Sequence, residues 1–219
     1  MTIASHTIVK NGMPFIGKVL RQAAPLMNKM FISVSAASDD GTLREVMEFI
    51  GENPGKVEFM EDGYTVPGQL TQLRQFQVDR TKQDWILFLD DDDYWPTDQL
   101  ELCLKELEKD DTTLAYSVSP YQVIDNWHYD ASWYNKSFSK FLKKTDGLHY
   151  RGDWPRDLPC DDTGKPLYWK THKQVKTLPY KFYHLALLKN HSFRHEDWAK
   201  KKYSYHVGTP ALLESEFIL

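Results

Sequence analysis

Residues 85–96 of the sequence are WILFLDDDDYWP, and this stretch decides which fold we expect. Five apolar residues in a row, without alternation of polar and apolar positions, are typical of a strand buried on both faces of a parallel sheet. Four aspartates, Asp90 to Asp93, follow that strand directly. Open α/β sheets bind their ligands at the carboxyl ends of their strands. The stretch therefore predicts an α/β protein with an acidic site at one edge of a parallel sheet.

Strand and helix patterns alternate around this stretch. Apolar, β-branched runs predict strands, and apolar residues at helical spacing predict helices between them. The strands are predicted at 2–9, 29–35, 56–60 and 85–89, and the helices after the turn at 10–12, from Asp40 or Thr42 through Ile50, from Pro67, and from Pro96 through Leu107. This order predicts a Rossmann-like, mostly parallel sheet with helices on both faces. The sequence contains neither GxGxxG after the first strand nor GxxxxGK[ST], so neither nucleotide-binding loop explains the sheet.

Residues 125–176 lose this alternation. Aromatic residues are interleaved there with Lys, Arg and Asp. We therefore expect a loop-and-hairpin elaboration beside the site. A length of 219 residues fits a single domain of this class.

Composition excludes several classes of protein. Hydrophobic residues at 41% and charged residues at 26% are ordinary for a globular chain, and exclude wholesale disorder, collagen and coiled coil. The two cysteines are too few for a disulfide scaffold and lack CxxC spacing, which favours a reducing compartment. No apolar run approaches the roughly 18 residues of a membrane span, and the first residues lack a signal-peptide pattern. We expect a soluble, cytoplasmic protein with no membrane partner.

Charge is distributed unevenly along the chain. Residues 1–130 carry a net charge of −11, whereas residues 131–219 carry +7 and six of the eight histidines. A basic segment beside an acidic one can hold an anionic acceptor or a diphosphate. The overall charge of −4 does not suit broad, nonspecific binding of nucleic acid.

The four aspartates point to a divalent cation. Adjacent carboxylates repel one another, and a cation is the simplest way to neutralise them. Mg²⁺ or Mn²⁺ bound by one or two carboxylates commonly completes its shell with diphosphate oxygens and water, which suits a nucleotide-activated donor. The alternative is an acidic helix start before Pro96, favoured by the helix dipole. An EF-hand does not fit, since Trp95 stands where that loop needs Gly.

The run DWILFLDDDDYWPTDQLE resembles the strand and DxD segment of GT-A glycosyltransferases of family 2, whose pattern is "yi.fLDsDDyw.pdkLe". Two earlier segments are similar to that family as well: TIVKN at 7–11 resembles its first strand and closing Asn, and VSAASDDGT at 34–42 resembles "VDDGSTDGT". The resemblance implies a GT-A fold, with a donor-binding half at 1–110 and an acceptor-side half at 111–219. It also implies a metal-dependent sugar transfer.

The resemblance implies roles for residues on the donor side. Thr7, Val9 and Asn11 would line the nucleoside pocket, and Asp91 would lie near the ribose. Arg74, sixteen residues before Asp90, resembles the Arg of the family's "aRN" segment and joins the donor-binding set.

The donor pocket also departs from the family pattern. The family's paired Asp, one of which often contacts a uracil-like base, falls on Ser35 and Ala36. A UDP-sugar remains the favoured donor, but we expect weaker base discrimination, or recognition by Asp39 or Asp40. We place Ser35 and Asp40 among the donor-binding residues. The Asn after the family's Arg is Gln75 here.

For the metal, the resemblance implies Asp92 as the principal ligand, with Asp90 as a second. His184, on a predicted strand in KFYH, stands where many GT-A enzymes place a third ligand. A structural role is the alternative for this histidine.

The sequence FRHEDW at 193–198 resembles the "ED" segment of inverting family 2 enzymes. Inverting transfer is one in-line displacement that needs a base on the acceptor hydroxyl. The resemblance implies Asp197 as that base, with Glu196 second. The alternative is a helix start in which Ser192 is the cap and both acids complement the dipole.

The function predicted is transfer of a single hexosyl or pentosyl group, with Mn²⁺ or Mg²⁺, from a nucleotide-diphosphate sugar to a soluble acceptor, with inversion. Three alternatives stay open: the same chemistry on a modified base in DNA, a nucleotidyltransferase, and a non-catalytic module that binds carbohydrate or nucleic acid. A nucleotidyltransferase usually carries a Gly-rich basic loop after the first strand, and NGMP at 11–14 is not one.

Overall fold

The computed structural model describes residues 1–62, 69–109, 111–123, 128–130, 138–152, 157–168, 172–188 and 206–207. The first half contains β1 (Ile3–Val9), α1 (Ile16–Ala23), β2 (Lys29–Ser35), α2 (Thr42–Glu52), β3 (Val57–Asp62), α3 (Gln69–Arg80), β4 (Trp85–Phe88), β5 (Asp93–Tyr94) and α4 (Thr97–Leu107). The second half contains β6 (Ala115–Val123), β7 (His128–Asp130), β8 (Phe138–Lys143), β9 (His149–Arg151), β10 (Leu158–Cys160), β11 (Val175–His184) and β12 (His206–Val207). Short 3₁₀ helices cover Ala24–Leu26 and Ala186–Leu188.

The N-terminal half is a parallel sheet in the order β4-β1-β2-β3. Its side chains alternate between two cores. Leu87 of β4 packs in the core that includes α1 and α2, whereas Ile86 and Phe88 pack in a second core with Val78 of α3. Because successive strand residues point to opposite faces, a strand covered on both sides must be apolar throughout. The predicted α/β class, with helices on both faces of a Rossmann-like sheet, is confirmed.

The C-terminal half extends the same sheet with mixed pairing. Strand β8 lies between β4 and β6 and is antiparallel to both, whereas β11 is parallel to β6 and antiparallel to β5. The expectation of only a loop-and-hairpin elaboration at 125–176 was therefore wrong for β8. Its Phe141 and Leu142 are fully buried on opposite faces, which makes it a central strand. The hairpin expectation holds for β9 and β10, which form a separate two-stranded sheet.

Several element boundaries differ from the sequence prediction. Helix α2 begins after Gly41, whose φ of 91° is readily adopted only by glycine, and the carboxylate of Asp40 accepts the N–H of Thr42. Pro96 precedes the first residue of α4 as its N-cap. Pro67 lies outside the described residues. None of the described helices is long and apolar enough to cross a membrane.

Candidate functional site

The four aspartates after β4 separate into different environments. The Asp90 side chain is 40% exposed, and its Oδ2 accepts a 2.7 Å hydrogen bond from Nζ of Lys140. Asp91 is partly buried, whereas Asp92 and Asp93 are buried. Since β5 begins at Asp93, the chain turns between the two strands and directs neighbouring carboxylates to different partners.

Strand β11 ends beside this turn and brings His184 into the cluster. Its pairing with β5 places His184 opposite Asp93, and the N–H of Leu185 donates to the carbonyl oxygen of Asp92 at 2.8 Å. One ligand atom from each of Asp92, Asp93 and His184 lies within 4.8 Å of the others. Of the three residues predicted to bind metal, the structure thus brings Asp92 and His184 together. Asp90 is outside this cluster and is paired with Lys140.

Lys140 is a central residue of the site that no sequence motif marks. Strand β8 runs antiparallel to β4 with Phe141 opposite Leu87, so Lys140 lies at the end of β4 that leads into the aspartates. Its ammonium group bonds Asp90 and Asp93, and lies 5.1 Å from the ring centroid of Phe182. A lysine inside the apolar strand pattern FSKFLK was the available signal, but only the strand register shows its partners.

The charges of this cluster are mutually dependent. Burial opposes the charge of Lys140, but Asp90 and Asp93 raise the pKa of its ammonium group above the usual range. Burial would raise the pKa of Asp90, yet Lys140 and Arg74 hold it well below its ordinary value. Burial lowers the pKa of His184, and the neighbouring Asp92 and Asp93 more than offset this, so the pKa is raised overall. Burial raises the pKa of Asp93, although Lys140 opposes this, so the protonation of each group depends on its neighbours.

Arg74 approaches the same cluster from α3. Its Nε donates to Oδ2 of Asp157 at 2.6 Å, and its guanidinium lies 4.6 Å from the ring centroid of Phe88. Burial would lower the pKa of Arg74, but Asp90, Tyr150 and Asp157 raise it. Arg74 is thus a fixed positive charge beside the acidic turn, and its donor-binding role stays a prediction.

The loops after β1 and β2 are bonded to each other. The N–H of Gly12 donates to Oγ1 of Thr42 at 2.7 Å, and the N–H of Met13 donates to Oδ2 of Asp40 at 2.9 Å. Asn11, whose φ is 55°, accepts the N–H of Asp39 with its Oδ1 at 3.0 Å. These bonds fix the loop that would form one wall of a nucleoside pocket. Both oxygens of Asp40 accept hydrogen bonds from loop atoms, so its observed contacts are structural.

The remaining predicted donor residues lie at the same sheet edge. Thr7 is buried and donates its hydroxyl to the carbonyl oxygen of Leu89 at 2.8 Å, which joins β1 to the chain just before the aspartates. Val9 and Ser35 are buried at the ends of β1 and β2. Glu196 and Asp197, the predicted bases, lie outside the described residues.

The donor set fits a divalent cation. Carboxylate oxygens suit Mg²⁺ and Mn²⁺, and an imidazole nitrogen is a common ligand of first-row transition metals such as Mn²⁺. A cavity of about 210 Å³ elsewhere, lined in part by Phe31, Met60 and Phe76, lies at mid-strand between β2, β3 and α3. That cavity is away from the carboxyl ends of the parallel strands, where the acidic turn lies.

The fold is that of the GT-A glycosyltransferases. The family model of Glycosyl transferase family 2 matches residues 10–156, and the chain belongs to that family. A comparison with curated proteins finds no match.

Solved structures show the same fold. The S. aureus TarS 1-349 structure is 14% identical, with a TM-score of 0.56, over 85% of this chain and 61% of that one. Its complex with UDP-GlcNAc is 14% identical, with a TM-score of 0.57, over 84% and 58%. The mannosyltransferase PcManGT from Pyrobaculum calidifontis, in complex with GDP-Man and Mn²⁺, is 16% identical, with a TM-score of 0.54, over 83% and 56%. The chain therefore spans less than two thirds of these proteins.

Proposed function

We propose that this chain is a glycosyltransferase that moves one hexosyl or pentosyl group from a nucleotide-diphosphate sugar to a soluble acceptor. The observation that carries the proposal is the convergence of Asp92, Asp93 and His184 at the carboxyl end of a parallel sheet. Family membership supports the reaction class. The neighbours in complex with UDP-GlcNAc or with GDP-Man and Mn²⁺ support a nucleotide-sugar donor.

Asp92 and His184 would hold a Mn²⁺ or Mg²⁺ ion. When bound, such an ion neutralises charge on a departing diphosphate. Lys140 and Arg74 hold Asp90 ionised and paired, so this carboxylate adds to the field of the site without being a principal ligand. Asp90 as a metal ligand, which the sequence predicted, is therefore not part of the proposal.

The nucleoside would lie against the ends of β1 and β4. The loop from Asn11 to Met13 is held from behind by the β2–α2 loop, which keeps its backbone in place before a ligand arrives. Gly12 allows the loop to approach Asp91 closely, so Asp91 lies beside this wall and would bind the ribose. A preformed wall lowers the ordering cost of binding.

Transfer would proceed with inversion. A single displacement at the anomeric carbon needs a base that accepts the proton of the acceptor hydroxyl. We assign this role to Asp197, with Glu196 second, on the family resemblance of their segment. Residues 1–110 would bind the donor, and residues 111–219 would bind the acceptor.

The proposal is tested with a panel of sugar nucleotides, incubated with the protein and Mn²⁺, with hydrolysis or transfer followed by mass spectrometry. We expect turnover of at least one donor, and its loss on addition of chelator. Asp92→Asn should abolish turnover and the Mn²⁺-dependent part of nucleotide affinity while the fold survives. Asp98→Asn is the matched control, since Asp98 is an exposed aspartate in the first turn of α4. Full turnover by Asp92→Asn, or in excess chelator, contradicts the metal mechanism.

A further inference from the structure

Asp93 is the most enclosed of the carboxylates around the cation site. Its side chain is 1% exposed, Oδ2 bonds the ammonium group of Lys140, and Oδ1 lies 2.9 Å from Nδ1 of His184. Both oxygens are therefore committed to other side chains. A cation ligand at this position would have to give up one of two charge-assisted hydrogen bonds.

The carboxylate contacts of His184 are both at Nδ1, which lies 2.9 Å from Oδ1 of Asp93 and 3.5 Å from Oδ1 of Asp92, and only the first is at hydrogen-bond distance. An ionised carboxylate only accepts hydrogen bonds, so the neutral imidazole must donate its Nδ1–H to Oδ1 of Asp93. The lone pair of the ring then lies on Nε2, the atom that can bind a cation. A carboxylate behind a ligating histidine is a common way to orient the ring and increase its basicity.

Lys140 fixes the orientation of Asp93. The lysine reaches the cluster from β8, whereas His184 reaches it from β11, so Asp93 is held from two sides by different strands. Phe182 lies beneath the ammonium group, and Trp95 stacks on Phe182 at 4.7 Å between ring centroids. Because these rings are buried, the ammonium group has little freedom to move away from its two carboxylates.

We propose that Lys140 and Asp93 are positioning residues of the cation site: Lys140 fixes Asp93, and Asp93 accepts the Nδ1–H of His184, which leaves the lone pair of Nε2 for the cation. This inference rests on the proposed function for the presence of the cation. These roles differ from those in a simple acidic cluster, where every carboxylate would bind the cation. Here Asp93 acts on the cation through His184, and Lys140 acts through Asp93.

The decisive measurement is the tautomer of His184 in the metal-free protein, by ¹⁵N NMR of histidine-labelled protein, with the pH raised until the ring signals no longer change. We expect the Nδ1–H form in the wild type. Asp93→Ala and Lys140→Met should lose that preference, whereas Lys140→Arg should retain it, since it keeps the charge. Asp93→Asn should also lose it, because its single amide oxygen is needed by the ammonium group of Lys140 and its NH2 group then faces Nδ1 of His184. Lys143→Met, on the same strand, is the control for a lost lysine, and its spectrum should match the wild type. If Lys140→Met does not fold, the two Asp93 variants decide the result.

Affinity for Mn²⁺ alone, measured by electron paramagnetic resonance of the free ion, is the second readout. Asp93→Ala should weaken binding about 10–100-fold, the usual cost of a lost partner behind a metal ligand, and Asp93→Asn should weaken it as well. An Nε2–H form in the wild type, or a tautomer that is unchanged in Asp93→Ala, overturns the proposal. Stronger Mn²⁺ binding by Lys140→Met with an unchanged tautomer also overturns it, because Lys140 would then only compete with the cation.

The two proposals fail in different ways. The tautomer is measured without metal, donor or acceptor, so a failure to transfer sugar leaves its result standing. Sugar transfer by a protein whose His184 carries the proton on Nε2 would instead keep the proposed function and remove the positioning roles.

Discussion

Gly12 lies so close to Asp91 that a Cβ atom on residue 12 would be 2.9 Å from Oδ2 of Asp91. The same Cβ would be 2.6 Å from Cγ2 of Val9, a side chain that is buried and fixed. Glycine is therefore required by close packing between the β1–α1 loop and the acidic turn. Any larger residue must displace one of these two elements.

We expect Gly12→Ala to lower nucleotide affinity at least tenfold, because Asp91 must move from the proposed ribose site. Overpacking should also cost about 1–3 kcal/mol of stability. Calorimetry with UDP measures the affinity, and urea unfolding measures the stability. Gly51→Ala is the control: its Cβ would have nothing within 4 Å, so it should leave affinity unchanged. Wild-type affinity in Gly12→Ala would show that Asp91 does not bind the nucleotide.

Asp39 and Asp40 are adjacent but should behave differently. Asp40 accepts hydrogen bonds from the N–H groups of Met13 and Thr42. Asp40→Ala should therefore destabilise the protein by about 1–3 kcal/mol and lower the affinity for all four nucleotides by the same factor. The side chain of Asp39 is exposed at the same edge, so Asp39→Ala should change the ratio among UDP, GDP, CDP and TDP. Calorimetry with the four nucleotides makes the comparison. A strong preference for UDP that survives both substitutions contradicts base recognition by these residues.

His6 is buried as a neutral ring. Thr81 donates its hydroxyl proton to the carbonyl oxygen of Gln77 at 2.8 Å, so Nε2 of His6 must donate to the Thr81 oxygen, 2.7 Å away. Nδ1 has no hydrogen-bond partner among the described residues. Burial, with Arg74 and Lys144 nearby, lowers the pKa of His6 to about 3.

The low pKa of His6 should make the fold sensitive to acid. Between the unfolded value of 6.5 and about 3, the unfolded chain binds the extra proton, so stability falls as pH falls. At pH 5 this loss should be about 2 kcal/mol relative to pH 8. His6→Gln keeps an amide that can donate to Thr81, and should lack this loss in urea unfolding at the two pH values. Equal pH dependence in the wild type and in His6→Gln refutes the assignment.

The parallel half of the fold was predictable because its signals are local. A strand buried on both faces has a continuous apolar run such as WILFL, and the aspartates follow it in sequence. Strand β8 was missed because its place in the sheet depends on pairing with β4 and β6, which are distant in the chain. The same limitation hid Lys140, since nothing near it in sequence marks a partner for Asp90 or Asp93.

The sequence predicted the chemistry of the metal site but not its full geometry. The sequence indicated an acidic cation site, and it singled out Asp92 and His184, which the structure brings together. It also predicted Asp90 rather than Asp93 as the second carboxylate in the cluster. Which of Asp90 and Asp93 joins the cluster depends on how the chain turns into β5. A run of identical residues carries no information about that turn.

Asp197 is the residue on which the proposed reaction depends for proton removal. If its segment begins a helix, the positive end of the dipole and nearby Arg194 favour the ionised carboxylate, which can accept a proton at neutral pH. Asp197→Asn is isosteric and cannot accept that proton. We expect kcat for transfer to fall about 10²–10⁴-fold with donor affinity intact, and Glu196→Gln to cost less. The anomeric configuration of the product, determined by NMR, is the companion measurement. Inversion supports a base at Asp197, whereas retention removes the need for one and assigns both acids to the start of a helix.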